Sequence, residues 1–263
     1  MNKIITKFTC GYDSNKTYYE SKLDSNSIPS IYIHGVGLDN SMWHMQKKYF
    51  KQNIIFYDLI NHGKTKIKSK KINYDDFNSQ LLNLIHFFNL KKINLIGFSF
   101  GSIVALNFSI KFNRIINKLI LISPIYQRTD KEKRLVNTRY LEAKKNSISD
   151  LAIKRWFTKN YLKKNPKVYK FFFDLLENNN KKDFLAAYKL FATSSDINAN
   201  FEQINIPTLI MTGEKDKNST PNMSVKLNKK IKNSKLKIIS NSKHMFLYEK
   251  NILINTKIQK FLG

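Results

Sequence analysis

Cysteine and long apolar runs are scarce in this chain, and each scarcity excludes a class of protein. A single cysteine among 263 residues excludes an internal disulfide framework and fits a reducing compartment. No stretch approaches the roughly 20 apolar residues that span a bilayer, and residues 1–7 lack the continuous apolar segment of a secretory signal. The sequence therefore predicts a cytoplasmic protein with no membrane partner.

Acidic residues and arginine are also scarce, which leaves the chain strongly basic. Lysine and arginine number 46 against 19 aspartates and glutamates, for a formal net charge of +27, yet only five of these cations are arginine. A basic surface is typical of proteins that bind nucleic acid or anionic membranes. The lysines are scattered along the whole chain, however, and recognition of bases and phosphates favours the planar guanidinium. We therefore favour a biased composition over a nucleic-acid partner, with attraction of acidic substrates as a by-product.

The length suits one α/β domain with an inserted subdomain. Short buried strands alternate with helical patterns in residues 1–124 and again in 201–263, which predicts a mostly parallel sheet covered by helices on both faces. Residues 125–200 carry charged and aromatic helical patterns without strands, so we expect them to form a helical lid on this core.

Several element boundaries can be predicted from local patterns. Residues 3–8 and 16–22 are expected to form a β-hairpin around a turn at 11–15. Apolar spacing predicts single helices over 151–162 in the lid segment and 246–261 at the end of the chain.

One serine stands where a buried strand meets a helix. The apolar run at 93–96 is followed by the segment GFSFG at 97–101, and the apolar pattern of a packed helix comes next. A serine on such a sharp turn is exposed and strained, and glycines two positions away on either side remove the Cβ atoms that would clash. With only eight glycines in the chain, two here indicate that Ser99 is a nucleophile rather than an ordinary turn residue.

A serine nucleophile needs a base, and the base needs a carboxylate to orient it. Among the five histidines, only His244 lies in the loop after the last predicted strand, which opens at the same sheet edge as Ser99. The loop after the strand that ends at Met211 offers two carboxylates at this edge, Glu214 and Asp216. The sequence thus places a nucleophile, a base and a carboxylate at one edge of the sheet.

These segments occur in a recognisable order. The HGVG segment at 34–37, the GFSFG segment, the loop from Gly213 to Asp216 and then His244 resemble the α/β-hydrolase family over nearly the whole chain. Within the family the chain is most similar to bacterial carboxylesterases and 3-oxoadipate enol-lactonases. It departs from them at Phe100, where methionine, leucine or glutamine is usual.

The resemblance implies the α/β-hydrolase fold, a mostly parallel twisted sheet flanked by helices with an inserted helical lid. It implies Ser99 as nucleophile, His244 as base and Asp216, in preference to Glu214, as the acid. The oxyanion hole would be formed by the backbone N–H groups of Val36 and Phe100, whose side chains would mainly shape the pocket.

The resulting expectation is a serine hydrolase of small carboxylic esters or lactones, anionic substrates included, that works through an acyl-enzyme. The alternatives are a non-catalytic ligand-binding protein on the same fold and an esterase acting on carrier-bound methyl esters. No cofactor is expected, because the histidines lack metal-ligand spacing and no dinucleotide-binding glycine motif occurs. The sequence does not predict an oligomeric state.

Four of the five arginines fall in residues 128–155, although the rest of the chain uses lysine almost exclusively. Ordinary salt bridges on helix surfaces would explain them. The alternative is a site that needs a planar, bidentate guanidinium, with Arg155 foremost because it adjoins Trp156. We therefore name Arg155 and Trp156 as candidate substrate-binding residues.

Overall fold

A computed structural model describes residues 8–24, 27–194 and 201–263. Within these residues eight strands form a single sheet in the order β1-β2-β4-β3-β5-β6-β7-β8. The strands are β1 Thr9–Tyr12, β2 Tyr18–Lys22, β3 Ser30–Ile33, β4 Ile54–Tyr57, β5 Ile93–Phe98, β6 Ile116–Ile122, β7 Thr208–Gly213 and β8 Ser234–Ile239. β1 and β2 pair antiparallel at one edge, and every pairing from β4 to β8 is parallel. The mostly parallel sheet predicted from the sequence is confirmed.

Helices cover the sheet and also form the long connection between two of its strands. The helices of the described residues are α1 His44–Tyr49, α2 Tyr74–Phe87, α3 Phe100–Lys111, α4 Asp130–Lys145, α5 Ser149–Trp156, α6 Lys159–Lys164, α7 Pro166–Glu177, α8 Lys181–Thr193, α9 Pro221–Lys230, α10 Phe246–Glu249 and α11 Asn251–Leu262. A short 3-10 helix, Asn40–Trp43, precedes α1. The helices α4 to α8 lie between β6 and β7 and are called the helical insertion below.

The central strands bury both of their faces. Alternate residues of β3 show this, because Ile31 and Ile33 belong to one apolar cluster and Tyr32 to the other. The first cluster includes side chains of α2 and α3, and the second includes Trp43 and side chains of α11. A sheet sandwiched in this way presents only its strand ends to ligands, so the carboxyl edge is where a site can form.

The N-terminal hairpin differs from its prediction. Residues 3–7 lie outside the described part, and β1 runs through Tyr12, inside the segment expected to be the turn. The connection spans residues 13–17, two positions later than expected, and is closed by Asp13, whose Oδ1 accepts the N–H groups of Asn15 at 3.0 Å and Thr17 at 2.7 Å. Lys16 completes it in a left-handed conformation at φ 66°.

Two predicted helices are each divided in the structure. The helix expected over 151–162 ends at Trp156, and a new one begins after Thr158, whose side chain accepts the N–H of Tyr161. The helix expected over 246–261 is interrupted at Lys250. Glu249, just before this second break, accepts the Thr158 N–H at 2.5 Å, so both breaks lie where the insertion contacts the core.

No helix among the described residues has the length and apolar character needed to cross a bilayer.

Candidate active site

Ser99 occupies the sharp turn between β5 and α3. Its backbone has φ 52° and ψ −113°, a strained conformation for a residue with a side chain. A Cβ on Gly97 would lie 2.4 Å from the carbonyl oxygen of Gly101, and a Cβ on Gly101 would lie 2.4 Å from the carbonyl oxygen of Ile33. Both glycines are therefore required by backbone contacts, as the sequence pattern predicts.

Hydrogen bonds hold this turn in place on both sides. The Ser99 N–H donates to the carbonyl of Ile122 on β6 at 2.9 Å. The Ser99 carbonyl accepts the Ser102 N–H at 2.9 Å and the Ser102 hydroxyl at 2.6 Å. The serine is thus fixed at the start of α3, where the free N–H groups and the positive end of the helix dipole favour negative charge.

His244 and Asp216 form a buried pair at the same edge of the sheet. His244 Nδ1 lies 2.6 Å from Asp216 Oδ2, and both side chains are almost fully buried. The other carboxylate oxygen, Oδ1, accepts the N–H groups of Asn218 at 2.8 Å and Ser219 at 3.1 Å. Because both aspartate oxygens act only as acceptors, Nδ1 carries the proton and Nε2 keeps a free lone pair.

Glu214, the other carboxylate of this loop, is placed elsewhere. It is exposed, and its Oε2 accepts the N–H of Asn241 at 2.7 Å. The structure thus brings Asp216, and not Glu214, to the histidine.

Ser99 and His244 line one cavity of about 270 Å³ between the sheet edge and the helical insertion. Within the described chain, the Ser99 hydroxyl forms no hydrogen bond with His244. Contacts of this kind are often loose before a substrate binds and tighten in the complex. Phe98 packs against the imidazole at a ring distance of 4.9 Å, and Trp156 lies 6.3 Å away on the insertion side.

The loop at 34–37 also borders this cavity, and two buried histidines hold it. His62 Nε2 accepts the N–H of Gly37 at 3.1 Å, while His62 Nδ1 donates to the carbonyl of Ile60 at 2.8 Å. His34 Nε2 accepts the N–H of Leu59 at 3.0 Å, while its Nδ1 donates to the carbonyl of Gly35 at 2.8 Å. The two side chains therefore tie the loop to the turn after β4.

Burial keeps both of these histidines neutral. It lowers the pKa of His34 to about 4 and the pKa of His62 to about 3, and in His62 the neighbouring His34 adds to the effect. A neutral imidazole keeps one acceptor nitrogen, which the Gly37 and Leu59 N–H groups require.

The helical insertion contacts the same loop from the other side. Asn179 Nδ2 donates to the carbonyl of Gly37 at 2.8 Å. A Cβ on Gly37, whose φ is 74°, would lie 2.8 Å from the Phe184 ring. Gly37 is therefore held by His62 of the core and by two side chains of the insertion.

The candidate oxyanion donors are the N–H groups of Val36 and Phe100. Neither forms a hydrogen bond to any other described residue, so both remain available to a ligand. Val36 lines the cavity, as expected. The expectation for the Phe100 side chain is wrong: the ring is fully buried against Phe77 and Phe191, because the start of α3 directs it into the core.

Trp156 and Arg155 both line the cavity, and Arg155 has a partner that sequence reasoning missed. Arg139 of α4 lies on the same wall, and both guanidiniums donate to Asn218 Oδ1, at 3.0 Å from Arg139 Nη1 and 3.1 Å from Arg155 Nε. The position of Asn218, two residues after Asp216, was the one available signal. The other two arginines of this segment differ, since Arg128 is buried against Phe191 and Arg134 is exposed.

Across the described ranges, no group of three or more His, Cys, Asp or Glu side chains is arranged to hold a metal ion.

Comparisons with known proteins identify relatives of this chain. Residues 31–251 match the family described as the alpha/beta hydrolase fold. An (E)-2-((N-methylformamido)methylene)succinate hydrolase of Acinetobacter baylyi is 28% identical and is matched over 98% of both chains. The 3-oxoadipate enol-lactonase 2 of the same organism is 23% identical, over 71% of this chain and 70% of its own.

Solved structures show the same fold. An enol-lactonase from Burkholderia xenovorans superposes with a TM-score of 0.86 at 18% identity, over 97% of this chain and 99% of its own. An esterase from Exiguobacterium antarcticum superposes with a TM-score of 0.85 at 19% identity, over 98% of this chain and 99% of its own. The chain belongs to the α/β-hydrolase family, whose matched relatives are hydrolases that include esterases and lactonases.

Proposed function

We propose that the protein is a serine hydrolase of small carboxylic esters or lactones. The observation that carries this proposal is the buried His244–Asp216 pair, with its Nδ1–Oδ2 distance of 2.6 Å, on the cavity that Ser99 lines. A histidine oriented in this way holds Nε2 ready to accept a proton, and the nearby carboxylate stabilises the imidazolium that results. The strained serine and the two free backbone donors supply the other parts of acyl transfer.

In the first half-reaction, the Ser99 oxygen attacks the carbonyl carbon of the ester while its proton passes to His244 Nε2. The carbonyl oxygen becomes negative and accepts hydrogen bonds from the N–H groups of Val36 and Phe100. The bond to the leaving oxygen then breaks, and that oxygen takes the proton from His244. The products of this step are an alcohol and an acyl group on Ser99; for a lactone, both remain in one molecule.

In the second half-reaction, a water molecule replaces the alcohol. His244 Nε2 takes one proton from the water as its oxygen attacks the acyl carbon, and the proton is returned to the Ser99 oxygen when the acyl bond breaks. The net change is one ester and one water to one carboxylic acid and one alcohol. The volume of the cavity, about 270 Å³, favours small substrates.

Two measurements test this proposal. A fluorophosphonate probe should label the wild-type protein at Ser99, whereas a non-catalytic binding protein should remain unlabelled although it is folded. On a p-nitrophenyl ester, Ser99→Ala and His244→Ala should each lower kcat by about 10⁴-fold or more, and the double variant should be little worse, because the two residues act as one unit. Near-wild-type activity in either single variant would contradict the assignment.

A further inference from the structure

Two positive side chains converge on the wall of the cavity that holds Ser99. Arg139 comes from α4 and Arg155 from α5, and both donate to the single acceptor Oδ1 of Asn218. Arg155 Nη1 also donates to the carbonyl of Leu151, at 3.1 Å. Like charges repel in a partly buried site. The approach of two guanidiniums to one acceptor therefore requires a physical explanation.

The acidic side chains nearby do not neutralise the pair. In the part of the chain that the structure describes, neither guanidinium forms an ion pair. Glu177, which lines the cavity, accepts the hydroxyls of Ser147 and Ser149. Glu142 and Tyr188 interact with Arg155 only at longer range, and burial, with Arg139 as the next cause, lowers the pKa of Arg155 to about 10. Two neighbouring positive charges, of which Arg155 is desolvated, thus lack an ion-pair partner among the described residues.

Asn218 positions both guanidiniums at this wall. Guanidiniums only donate, so the amide oxygen must face them and Nδ2 must point away. Nδ2 is buried and has no hydrogen-bond partner among the described residues, so it is not a donor to the cavity. The site therefore offers the remaining N–H groups of two guanidiniums, which suit a planar group with two acceptor oxygens.

We propose that Arg139 and Arg155, which Asn218 positions, bind a carboxylate of the substrate, remote from the bond that is cleaved. The substrates would be short esters or lactones that carry a free carboxylate, and this inference rests on the proposed ester hydrolysis at Ser99. The cavity between the arginines and Ser99 has mainly apolar walls, among them Leu38, Phe98 and Ala152. A short hydrocarbon segment would bridge these walls and join the carboxylate to the reacting carbonyl.

Matched esters test the proposal. In one pair the carboxylate is in the acyl part, as in monomethyl glutarate against methyl valerate. In the other it is in the alcohol part, as in 3-acetoxypropionate against butyl acetate. The wild-type enzyme, followed by pH-stat titration, should prefer the acidic member of at least one pair by about tenfold or more in kcat/KM. No preference in either pair would overturn the proposal, whereas no hydrolysis of any ester would instead contradict the proposed function.

Variants assign the preference to these residues. Arg139→Gln and Arg155→Gln should each reduce the acidic-to-neutral preference about tenfold, equivalent to about 1.4 kcal/mol of lost binding. Arg155→Lys keeps the charge but loses the bidentate fork. The preference of this variant for the acidic ester over the neutral one should therefore fall by less than in Arg155→Gln. Arg134→Gln on the exposed face of α4 is the matched control and should leave the preference unchanged. Equal loss with acidic and neutral esters would exclude a carboxylate site.

A binding measurement keeps the inference testable without turnover. Calorimetric titration of Ser99→Ala protein with glutarate and with glutaramide compares a dianion with its neutral analogue. Glutarate should bind at least about tenfold more tightly, and adding Arg155→Gln should remove the difference. Equal binding of the two compounds would overturn the proposal whether or not an ester is hydrolysed.

Discussion

Gly97 shows how strongly one residue of the Ser99 turn is constrained. The atoms that a Cβ would meet there are all backbone: the carbonyl oxygen of Gly101 at 2.4 Å, its carbonyl carbon at 2.7 Å and Ser102 Cα at 2.7 Å. Backbone packed between β5 and α3 cannot move aside as a flexible side chain can, so an added methyl group must displace an element.

We therefore expect Gly97→Ala to lower the free energy of unfolding by about 3 kcal/mol or more, measured by urea denaturation. Gly11→Ala is the control. Its Cβ would meet only the far end of the Tyr19 side chain, with the hydroxyl oxygen nearest at 3.3 Å, and it should cost about 1 kcal/mol or less. Similar losses in the two variants would show that the turn tolerates a side chain.

Asp216 and Glu214 can be separated by charge-removing substitutions. Asp216→Asn removes the acceptor of the His244 Nδ1 proton and favours the wrong tautomer, so kcat should fall by about a thousandfold or more on a p-nitrophenyl ester. Glu214→Gln changes only an exposed contact to the Asn241 N–H and should keep kcat within about twofold. A larger loss in Glu214→Gln would reverse the assignment of the acid.

Sequence position led to Ser99, to His244 and to the loop that carries Asp216, because each lies within five residues after the end of a strand, where parallel strands place ligand sites. The choice of Asp216 over Glu214 came from the family resemblance. It could not pair Arg139 with Arg155. These residues are 16 positions apart on different helices, and only the packing of α4 against the rest of the insertion brings them to Asn218. Periodicity predicts that a helix exists but not the partner that its polar face meets.

At the scale of elements, the turn after β4 and the loop at 34–37 depend on two buried neutral histidines. The folded pKa values of His34 and His62 lie below the ordinary 6.5, so between about pH 6.5 and 4 the unfolded chain binds more protons at these sites. Their contribution to stability is present above pH 6.5 and is lost as pH falls. Asp58, whose pKa burial raises to about 6, acts in the opposite direction.

We expect the free energy of unfolding to depend less on pH when one of these histidines is removed. Between pH 4 and 6, His62→Gln should make the slope shallower by about 1.4 kcal/mol per pH unit, as measured by urea denaturation at several pH values. His86→Gln, at an exposed position of α2, is the control for the removal of a histidine outside this buried pair. The same slope in wild type and His62→Gln would mean that His62 is already protonated in the folded state.

Element boundaries were the least predictable feature, for local reasons. The division of the helix expected over 151–162 had a signal in the sequence, since Thr158 is a preferred N-cap residue three positions before Tyr161. Apolar spacing masked it, because both halves place apolar residues on the same core. The hairpin turn expected at 11–15 lies two positions too early, because the Asp13 side chain accepts the Thr17 N–H and so closes the loop over residues 13–17.

At the scale of the whole molecule, the net charge of +27 should attract anionic substrates. Raising NaCl from about 20 to about 500 mM screens this field, so kcat/KM for an acidic ester should fall several-fold. The neutral ester of equal length is the control and should change by less than about 1.5-fold. An equal response of both esters would show that the charge has no part in substrate capture.

The overall architecture was predictable because strand and helix patterns alternate, and an alternating chain has few ways to bury both faces of a sheet. The cavity was not predictable. Its walls come from the 34–37 loop, the Ser99 turn and the helical insertion together, and their spacing depends on tertiary contacts such as the one between Thr158 and Glu249.

The hydrogen bonds that hold Gly37 have a consequence for the entry of a substrate into the cavity. Its N–H is bound to His62 of the core and its carbonyl to Asn179 of the insertion, so a displacement of α7 away from the sheet would strain the loop that also carries Val36. We therefore expect the proposed acyl transfer to require a closed insertion. A molecule too bulky for the closed cavity should then not be hydrolysed, even where an open insertion could admit it.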